Sequence, residues 1–340
     1  MIVKFISSKL HTFSLHYRIR GDYLKKWVAF LFLCTIWILH GCNDEEFQQI
    51  NQHQSFVASV NILEPSVDFF DSDGERIATW KFEKAYTGAA LIPYDRLVLY
   101  GHQLDEVDIY ELSTGKLIQS IETGTGTTNV HYDKKEKLLF VANSESNTVA
   151  SFNEQGEKQG EIRLKDYPMS MDSHDGKLYV VNYKAPVLSV VDIKSMSLVD
   201  EWNIDKSSSG LLIVKETNTL WVGGHGSGSR PNQKVKVLDL DNGQVIQEIQ
   251  ASQMPVGFSK KGDIIYVTNH GSNELFAFDL NGKMLWRKEV GANPFAVAVF
   301  KDNVIVAGFD DNQIYILENG EIKRKISTQS GPFQLLVREV

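Results

Sequence analysis

The sequence is poor in cysteine and lacks the common catalytic motifs. Its two cysteines, Cys34 and Cys42, both lie near the N-terminus, so no disulfide within the chain can cross-link residues 43–340. A core of this size does not require one. The patterns GxSxG, HExxH and CxxCH and a zinc-binding cysteine set are also absent. The sequence therefore contains none of the hydrolase, metalloprotease or haem sites that these motifs form.

The chain also lacks an excess of basic residues. Its formal net charge is -8, and residues 1–41 carry six Lys or Arg against one Asp. Without that segment, 29 basic residues stand against 42 acidic ones. Such a surface repels phosphate backbones, so we do not expect nucleic-acid binding through a general basic face.

The apolar run near the N-terminus is short. It extends from Trp27 to Leu39, follows Lys25 and Lys26, and leads to Leu39-His40-Gly41-Cys42. Thirteen residues are too few for an ordinary membrane-spanning helix but are typical of a signal-peptide core. The arrangement resembles a bacterial lipoprotein signal. The resemblance implies a signal peptide at 1–41, acylation of Cys42, and attachment to the extracytoplasmic side of a cell membrane, at the cell surface or in the periplasm.

Two further expectations concern this N-terminal region. Residues 1–23 are long and mixed in polarity for a signal peptide, and a start at Leu24, read as an alternative start codon, would give a short basic region. Both starts stay open. Residues 43–54 are polar and have no strand pattern, so we predict that residues 42–54 form a lipidated cysteine and a tether, followed by one domain at 55–340.

From Ser55 to Val340 the chain repeats one pattern seven times: a strand, a small or amide residue, a second strand, a turn and a third strand. The small-or-amide position recurs every 39 to 45 residues, at Ser59, Gly101, Asn143, Asn182, Gly224, Asn269 and Gly308. A four-stranded propeller blade has about this length. Short segments rich in Val, Ile, Phe and Tyr favour strands, and no stretch has a sustained helical period. We therefore predict an all-β fold, a seven-bladed β-propeller.

The C-terminal segment predicts how the ring closes. The first repeat begins directly with its second strand near Phe56 and has no inner strand before it. Pro332 to Val337 (PFQLLV) resembles the inner strand Pro294 to Val299 (PFAVAV) of the last repeat. We predict that this C-terminal strand completes the first blade, which would remove the exposed sheet edges.

One repeat resembles a known family. The stretch Ile265 to Gly282 contains Tyr266-Val267-Thr268-Asn269, and Leu138 to Phe152 and Leu178 to Ile193 are weaker copies. These segments are similar to the YVTN-repeat β-propeller family, and the resemblance covers all seven repeats. It implies an extracytoplasmic propeller but no particular activity. The WD dipeptide of another propeller class is absent.

Three histidines are candidate ligand-face residues. His102, His225 and His270 each follow the small-or-amide position directly, in the second, fifth and sixth blades. Equivalent positions would place them on the face where ligands bind, at the mouth of the central channel. Histidine is a common metal ligand, but a shared ion would require loops folded inward, because the second blade lies across the ring. The alternative is that they are polar loop residues bonded to their own turns.

Four other residues are candidates on the same face. Asn143, Asn182 and Asn269 would form a polar ring, although Asn at a strand end commonly bonds local backbone groups. Arg230 lies in the long glycine-rich loop Gly223 to Gln233, where it would recognise an anionic ligand or simply extend a solvated hairpin.

We interpret the chain as a lipid-anchored binding module, rather than an enzyme, for an unknown protein, glycan or small molecule. It needs no cofactor in this interpretation, and we expect a monomer. The alternative is a lactonase-like, metal-dependent hydrolase. A quinoprotein-type oxidoreductase is a weaker alternative, because Ala277 to Trp286 resembles one tryptophan-docking repeat. Trp80, Trp202 and Trp286 are better interpreted as fillers between blades.

Overall fold

The computed structural model describes residues 46–93, 95–227 and 229–340. The predicted signal peptide and Cys42 lie outside the described residues. The described chain consists of strands and two short 3-10 helices, Lys215–Thr217 and His270–Ser272. Neither is long or apolar enough to cross a membrane.

The strands form seven four-stranded antiparallel sheets, which we number as blades 1–7. In that order the inner strands are Pro332–Arg338, Gly88–Ile92, Thr127–Asp133, Pro168–His174, Ser208–Val214, Pro255–Lys261 and Pro294–Phe300. The second strands are Phe56–Asn61, Arg96–Tyr100, Leu138–Asn143, Lys177–Asn182, Thr219–Gly224, Ile264–Asn269 and Asn303–Gly308.

The remaining strands complete each blade toward the outside. The third strands are Ser66–Phe70, Glu106–Glu111, Thr148–Phe152, Val187–Asp192, Lys234–Asp239, Glu274–Asp279 and Gln313–Glu318. The outer strands are Arg76–Lys81, Lys116–Glu122, Lys158–Arg163, Ser197–Asn203, Val245–Gln250, Met284–Glu289 and Glu321–Ser327. In blade 5 a two-stranded hairpin, Gly226–Ser227 with Arg230–Pro231, lies between the second and third strands.

The predicted seven-bladed fold and its closure are confirmed. The C-terminal inner strand pairs antiparallel with Phe56–Asn61, with Phe56 opposite Arg338 and Val60 opposite Gln334. Each inner strand contacts the inner strand of the next blade, and that of blade 7 contacts that of blade 1. The sheets therefore form a closed ring with no first or last blade.

The core lies between neighbouring blades, because the second and third strands are buried on both faces while most outer-strand residues are exposed. Each blade therefore buries its side chains against the next one. Trp80 packs with residues of blades 1 and 2, Trp202 with blades 4 and 5, and Trp286 with blades 6 and 7. These tryptophans fill the spaces between blades.

Side chains join the inner strands around the channel. The inner strands are sheet edges, so some of their backbone groups need partners outside their own blade. Thr128 in blade 3 donates to the Pro168 carbonyl of blade 4 at 2.7 Å. The Gln334 amide of blade 1 bonds both the amide and the carbonyl of Ala89 in blade 2, at 2.9 and 2.8 Å. These bonds fix the diameter of the channel wall.

The glycine turns before the outer strands adopt the expected left-handed conformation. Gly243, for example, has φ +69°, and its Cβ position would lie 2.2 Å from the Trp202 ring. Blade 4 has no glycine at this turn, and Met196 takes the same conformation with φ 47°. Blade 4 therefore has the same left-handed turn as the other blades, although its sequence has no glycine there.

The structure corrects which residue occupies the small-or-amide position of the first repeat. Asn61 ends the second strand of blade 1 and pairs with Ser66, as Asn143 pairs with Thr148 in blade 3. The position equivalent to the other six is therefore Asn61, and Ser59 lies two residues too early. The error arose because blade 1 begins with its second strand and offers no preceding strand to fix the register.

The described part of the predicted polar tether is docked on the propeller. Ile50 is fully buried, and its amide donates to the Leu112 carbonyl at 2.8 Å. The Phe47 amide donates to the Gly115 carbonyl at 2.9 Å, and its ring stacks on Trp80 at 5.0 Å. One buried and one half-buried apolar side chain therefore attach this polar segment to blades 1 and 2.

The two ends of the ring differ in their loops. Loops that follow the second strands lie at the end that we call the mouth face. Turns between third and outer strands lie at the opposite end of the strands, because the sheets are antiparallel. Gly115 belongs to such a turn, between Glu106–Glu111 and Lys116–Glu122. The docked N-terminal segment therefore begins on the face opposite the mouth.

Candidate functional site

A cavity of about 490 Å³ lies at the mouth of the central channel. This volume is within the range of about 300–1,000 Å³ that holds small ligands. Its floor and walls come from the first residues of the inner strands, and its rim comes from loops that follow the second strands. We call it the mouth cavity.

Eight aromatic or imidazole rings form a continuous series at this face, which we call the aromatic arc: His102, Tyr167, Tyr183, His225, His270, Phe295, Phe309 and Phe333. Consecutive ring centroids along this order lie 6.3, 5.9, 6.1, 5.3, 4.1, 5.5 and 6.3 Å apart. Phe295 also contacts Phe333 directly at 5.0 Å. All eight side chains are half-buried, so each ring is held in place while part of it remains accessible. Rings in such an arrangement form a surface for another planar or apolar group.

The mouth cavity has an apolar side and a polar side. Blades 6, 7 and 1 contribute the apolar side: Val256, Gly257, Phe258, Phe295, Ala296, Val297, Phe333 and Leu335. Blades 2–5 contribute hydroxyl and amide groups from Thr87, Tyr100, Thr127, Thr128, Asn129, Ser170 and Ser209. No Asp, Glu, Lys or Arg is among the described lining residues.

Two imidazoles of the arc, those of His225 and His270, carry no charge at neutral pH. Burial lowers the pKa of His225, and burial together with His225 lowers the pKa of His270 to about 4. His102 Nε2 lies 3.1 Å from Ser144 Oγ, and His225 Nδ1 lies 3.4 Å from Ser209 Oγ. His270 Nδ1 is buried and has no partner in the described structure. The part of the arc formed by His225 and His270 is therefore uncharged as well as aromatic.

Tyr100 is a buried polar side chain of the mouth cavity. The residue is 5% exposed, lines the cavity, and packs against Gly88. Burial raises its pKa, so the hydroxyl keeps its proton and can donate. Within the described residues, neither the Tyr100 hydroxyl nor the Asn129 amide has a hydrogen-bond partner. A ligand in the cavity would find two unused polar groups there.

The structure separates the three predicted histidines. His225 and His270 lie together, with ring centroids 5.3 Å apart, whereas Tyr167 and Tyr183 come between His102 and His225 in the arc. Residues 46–340, as far as they are described, contain no group of three or more His, Cys, Asp or Glu side chains placed to hold a metal ion. The metal-dependent hydrolase therefore gains no support from this geometry.

The predicted asparagines lie at the mouth face but are directed at the backbone. Asn143 Nδ2 donates to the Thr125 carbonyl at 2.8 Å, and Asn182 Nδ2 donates to Val187 at 3.0 Å. Asn269 Oδ1 accepts from the Ser252 amide at 3.1 Å. They hold the loops that carry the arc. Arg230 lies in the small hairpin of blade 5, is exposed, and does not line the mouth cavity.

A second cavity of about 640 Å³ lies between the outer parts of blades 6 and 7. Its lining is charged, and includes Lys288, Asp311 and Lys325. Lys288 pairs with Glu321 at 2.6 Å, and the Lys325 ammonium lies 5.1 Å from the Tyr315 ring centroid. Lys288 and Lys325 thus have partners within the protein, whereas the buried Asp311 Oδ1 has none among the described residues. We prefer the mouth cavity as the candidate, although it is smaller, because several rings of the aromatic arc line it.

Comparison with known proteins supports the fold. No protein-family model matches the chain, and no curated protein matches it. A functionally unknown protein from Desulfotomaculum acetoxidans is 11% identical, with a TM-score of 0.71 over 83% of this chain and 98% of that one. Virginiamycin B lyase from Staphylococcus aureus is 13% identical, with a TM-score of 0.61 over 73% and 87%. The dihydro-heme d1 dehydrogenase NirN is 11% identical, with a TM-score of 0.61 over 86% and 77%. At these identities the likeness concerns architecture, and the chain is a seven-bladed β-propeller.

Proposed function

We propose that this chain is a lipid-anchored binding module of the cell envelope whose ligand occupies the mouth cavity. The observation that carries the proposal is the aromatic arc, because its eight rings lie side by side at one loop face and each remains partly accessible there. Propellers host both enzymes and binding proteins, so the fold alone does not decide between them. The uncharged cavity without a clustered set of acids favours binding.

The lipid anchor is inferred from the sequence around Cys42. Only residues 43–45 separate Cys42 from Glu46, the first described residue, so extended chain spans about 14 Å between them. An acylated Cys42 would therefore attach the chain to the bilayer close to the beginning of the propeller domain.

The anchor is tested by the Cys42→Ala variant. Two or three acyl chains give firm membrane attachment, while a chain without them has none. We expect wild-type protein to incorporate labelled palmitate and to sediment with membranes, and the variant to do neither. A Cys34→Ala variant serves as the control and should behave as wild type. Membrane retention of Cys42→Ala protein would contradict the anchor.

The binding site is tested by ligand retention. Full-length protein is dialysed to equilibrium against a small-molecule extract of its host culture, and retained compounds are identified by mass spectrometry after heat release. We expect wild-type protein to retain at least one compound that the Phe295→Ala/Phe333→Ala variant retains about tenfold less, because two rings that line the mouth cavity are lost.

The control for this experiment is Trp286→Ala. Trp286 is also a half-buried ring, but it lies in an outer strand of blade 6. It should leave retention unchanged. Equal retention by wild-type and doubly substituted protein, or no retained compound at all, would contradict binding at the mouth cavity.

A further inference from the structure

We infer that the ligand of the mouth cavity is a neutral saccharide. The inference rests on the proposed function and adds the chemical class of the ligand. It depends on three features of one cavity: a surface of aromatic rings, an opposite wall of hydroxyl and amide groups, and the absence of charge in the described lining.

The ring surface matches one side of a pyranose. A sugar ring presents its axial C–H groups on a face, and these weakly positive hydrogens pack on the electron-rich face of an aromatic ring. Phe295 lines the mouth cavity and contacts three other rings of the arc, His270 at 4.1 Å, Phe333 at 5.0 Å and Phe309 at 5.5 Å. Several adjoining rings offer stacking positions for more than one sugar unit.

The opposite wall matches the edge of the same molecule. Hydroxyl groups of a sugar both donate and accept, and they need partners of both kinds when they leave water. The Tyr100 hydroxyl is a donor held by a buried ring, and the Asn129 amide offers a donor and an acceptor. A ligand without hydroxyl or carbonyl groups on this side would leave both groups unpaired.

The charge of the cavity excludes acidic and basic ligands. A carboxylate, phosphate or ammonium in the mouth cavity would lose its water without gaining a counter-charge from the described lining. His225 and His270 cannot supply one at pH 7, since burial lowers the pKa of both. The ammonium of Lys184 lies 4.4 Å from the Tyr167 ring centroid but does not line the cavity.

The test is calorimetric titration of the full-length protein in a zwitterionic detergent that has no sugar headgroup. The neutral probes are maltohexaose, cellohexaose, mannohexaose and xylohexaose, and the charged probe is hexagalacturonate. We expect at least one neutral probe to bind, and hexagalacturonate to bind at least about tenfold more weakly than it.

Two variants locate the binding. Tyr100→Phe removes only the hydroxyl, and should weaken the best neutral probe by about tenfold, the effect of one hydrogen bond. Phe295→Ala should weaken it by at least about tenfold. The control Tyr266→Phe makes the same chemical change in the second strand of blade 6, in the core cluster against blade 7, and should leave affinity unchanged.

Three results would overturn the inference: no binding of any neutral probe, equal affinity for hexagalacturonate, or unchanged affinity in Phe295→Ala protein. These results are distinct from failure of the proposed function. If the dialysis experiment identifies an uncharged aromatic compound held by the arc, and no saccharide binds, the binding module stands and the saccharide does not.

Discussion

Removal of residues 331–340 should abolish the cooperative unfolding transition of the domain. The deleted segment contains the inner strand of blade 1, which pairs with Phe56–Asn61 along its length. Without it, blade 1 has a free edge, and the inner strands of blades 7 and 2 lose their neighbour. A propeller blade is stable only against its neighbours, so the loss would amount to most of the ~5–15 kcal/mol that stabilises a typical domain.

Circular dichroism during thermal unfolding measures this effect. We expect the deleted protein to lack a sharp transition, while a control lacking only the exposed residues Glu339 and Val340 should melt close to wild type. An unchanged melting temperature after removal of 331–340 would contradict closure by the C-terminal strand.

Arg338 gives a milder test of the same closure if the deleted protein does not accumulate. Its guanidinium forms a salt bridge with Asp95 and donates to the carbonyls of Asn51 and Gln54, at 2.5 and 3.1 Å. In Arg338→Ala protein the Asp95 carboxylate, 7% exposed, would lose its cation. Breaking a buried pair on one side costs about 3–5 kcal/mol, and we expect the lower end of that range.

Trp80→Ala should be the most destabilising single truncation of a tryptophan in an outer strand. Trp80 is fully buried, stacks on Phe47 at 5.0 Å and contacts Phe69 at 5.3 Å. Its indole N–H donates to the Gln48 carbonyl at 2.9 Å. The substitution would leave a cavity between blades 1 and 2 and release the docked segment. We expect a loss of about 4 kcal/mol in the free energy of unfolding.

Trp286→Ala provides the matched comparison. Trp286 occupies the outer strand of blade 6 but is only half-buried, and it contacts Tyr266 at 5.9 Å. We expect about half the loss, near 2 kcal/mol, in parallel denaturant titrations. Equal losses in the two variants would show that the docked segment contributes nothing to the stability of blade 1.

The periodicity of the sequence was sufficient to predict the ring. Strand-forming segments, turn glycines and the similarity between Pro332 to Val337 and Pro294 to Val299 each reflect a local requirement that recurs in every blade. The prediction was less accurate for the first repeat and for the segment before it, where the sequence pattern is weaker. Asn61 was displaced to Ser59, and the anchoring side chains Phe47 and Ile50 were missed because they are isolated apolar residues in a polar segment.

The candidate site was only partly predictable, for a reason visible in the repeats. The residue after the small-or-amide position is Ile62, His102, Ser144, Tyr183, His225, His270 and Phe309 in blades 1–7. From the sequence, the three histidines were candidate metal ligands, whereas Tyr183 and Phe309 were not identified as candidates. The property they share is a ring at the mouth face, and this becomes apparent once the blades are placed in a circle.

Two other members of the arc belong to a sequence pattern that we interpreted as evidence for ring closure and not for a binding site. Phe295 and Phe333 each follow a proline at the start of an inner strand, and this repetition indicated closure of the ring. Their contact at 5.0 Å depends on blades 7 and 1 being neighbours. No local pattern reports such a contact, because the two residues belong to the inner strands of different blades.

A crystal structure of the protein bound to the tightest neutral hexasaccharide tests the central claim most directly. We expect a sugar ring stacked on Phe295 in the mouth cavity, with one of its oxygens within hydrogen-bond distance of the Tyr100 hydroxyl. A saccharide bound instead to the outer strands, or in the charged cavity beside Asp311 with the mouth cavity empty, would contradict the assignment of the aromatic arc as the binding site.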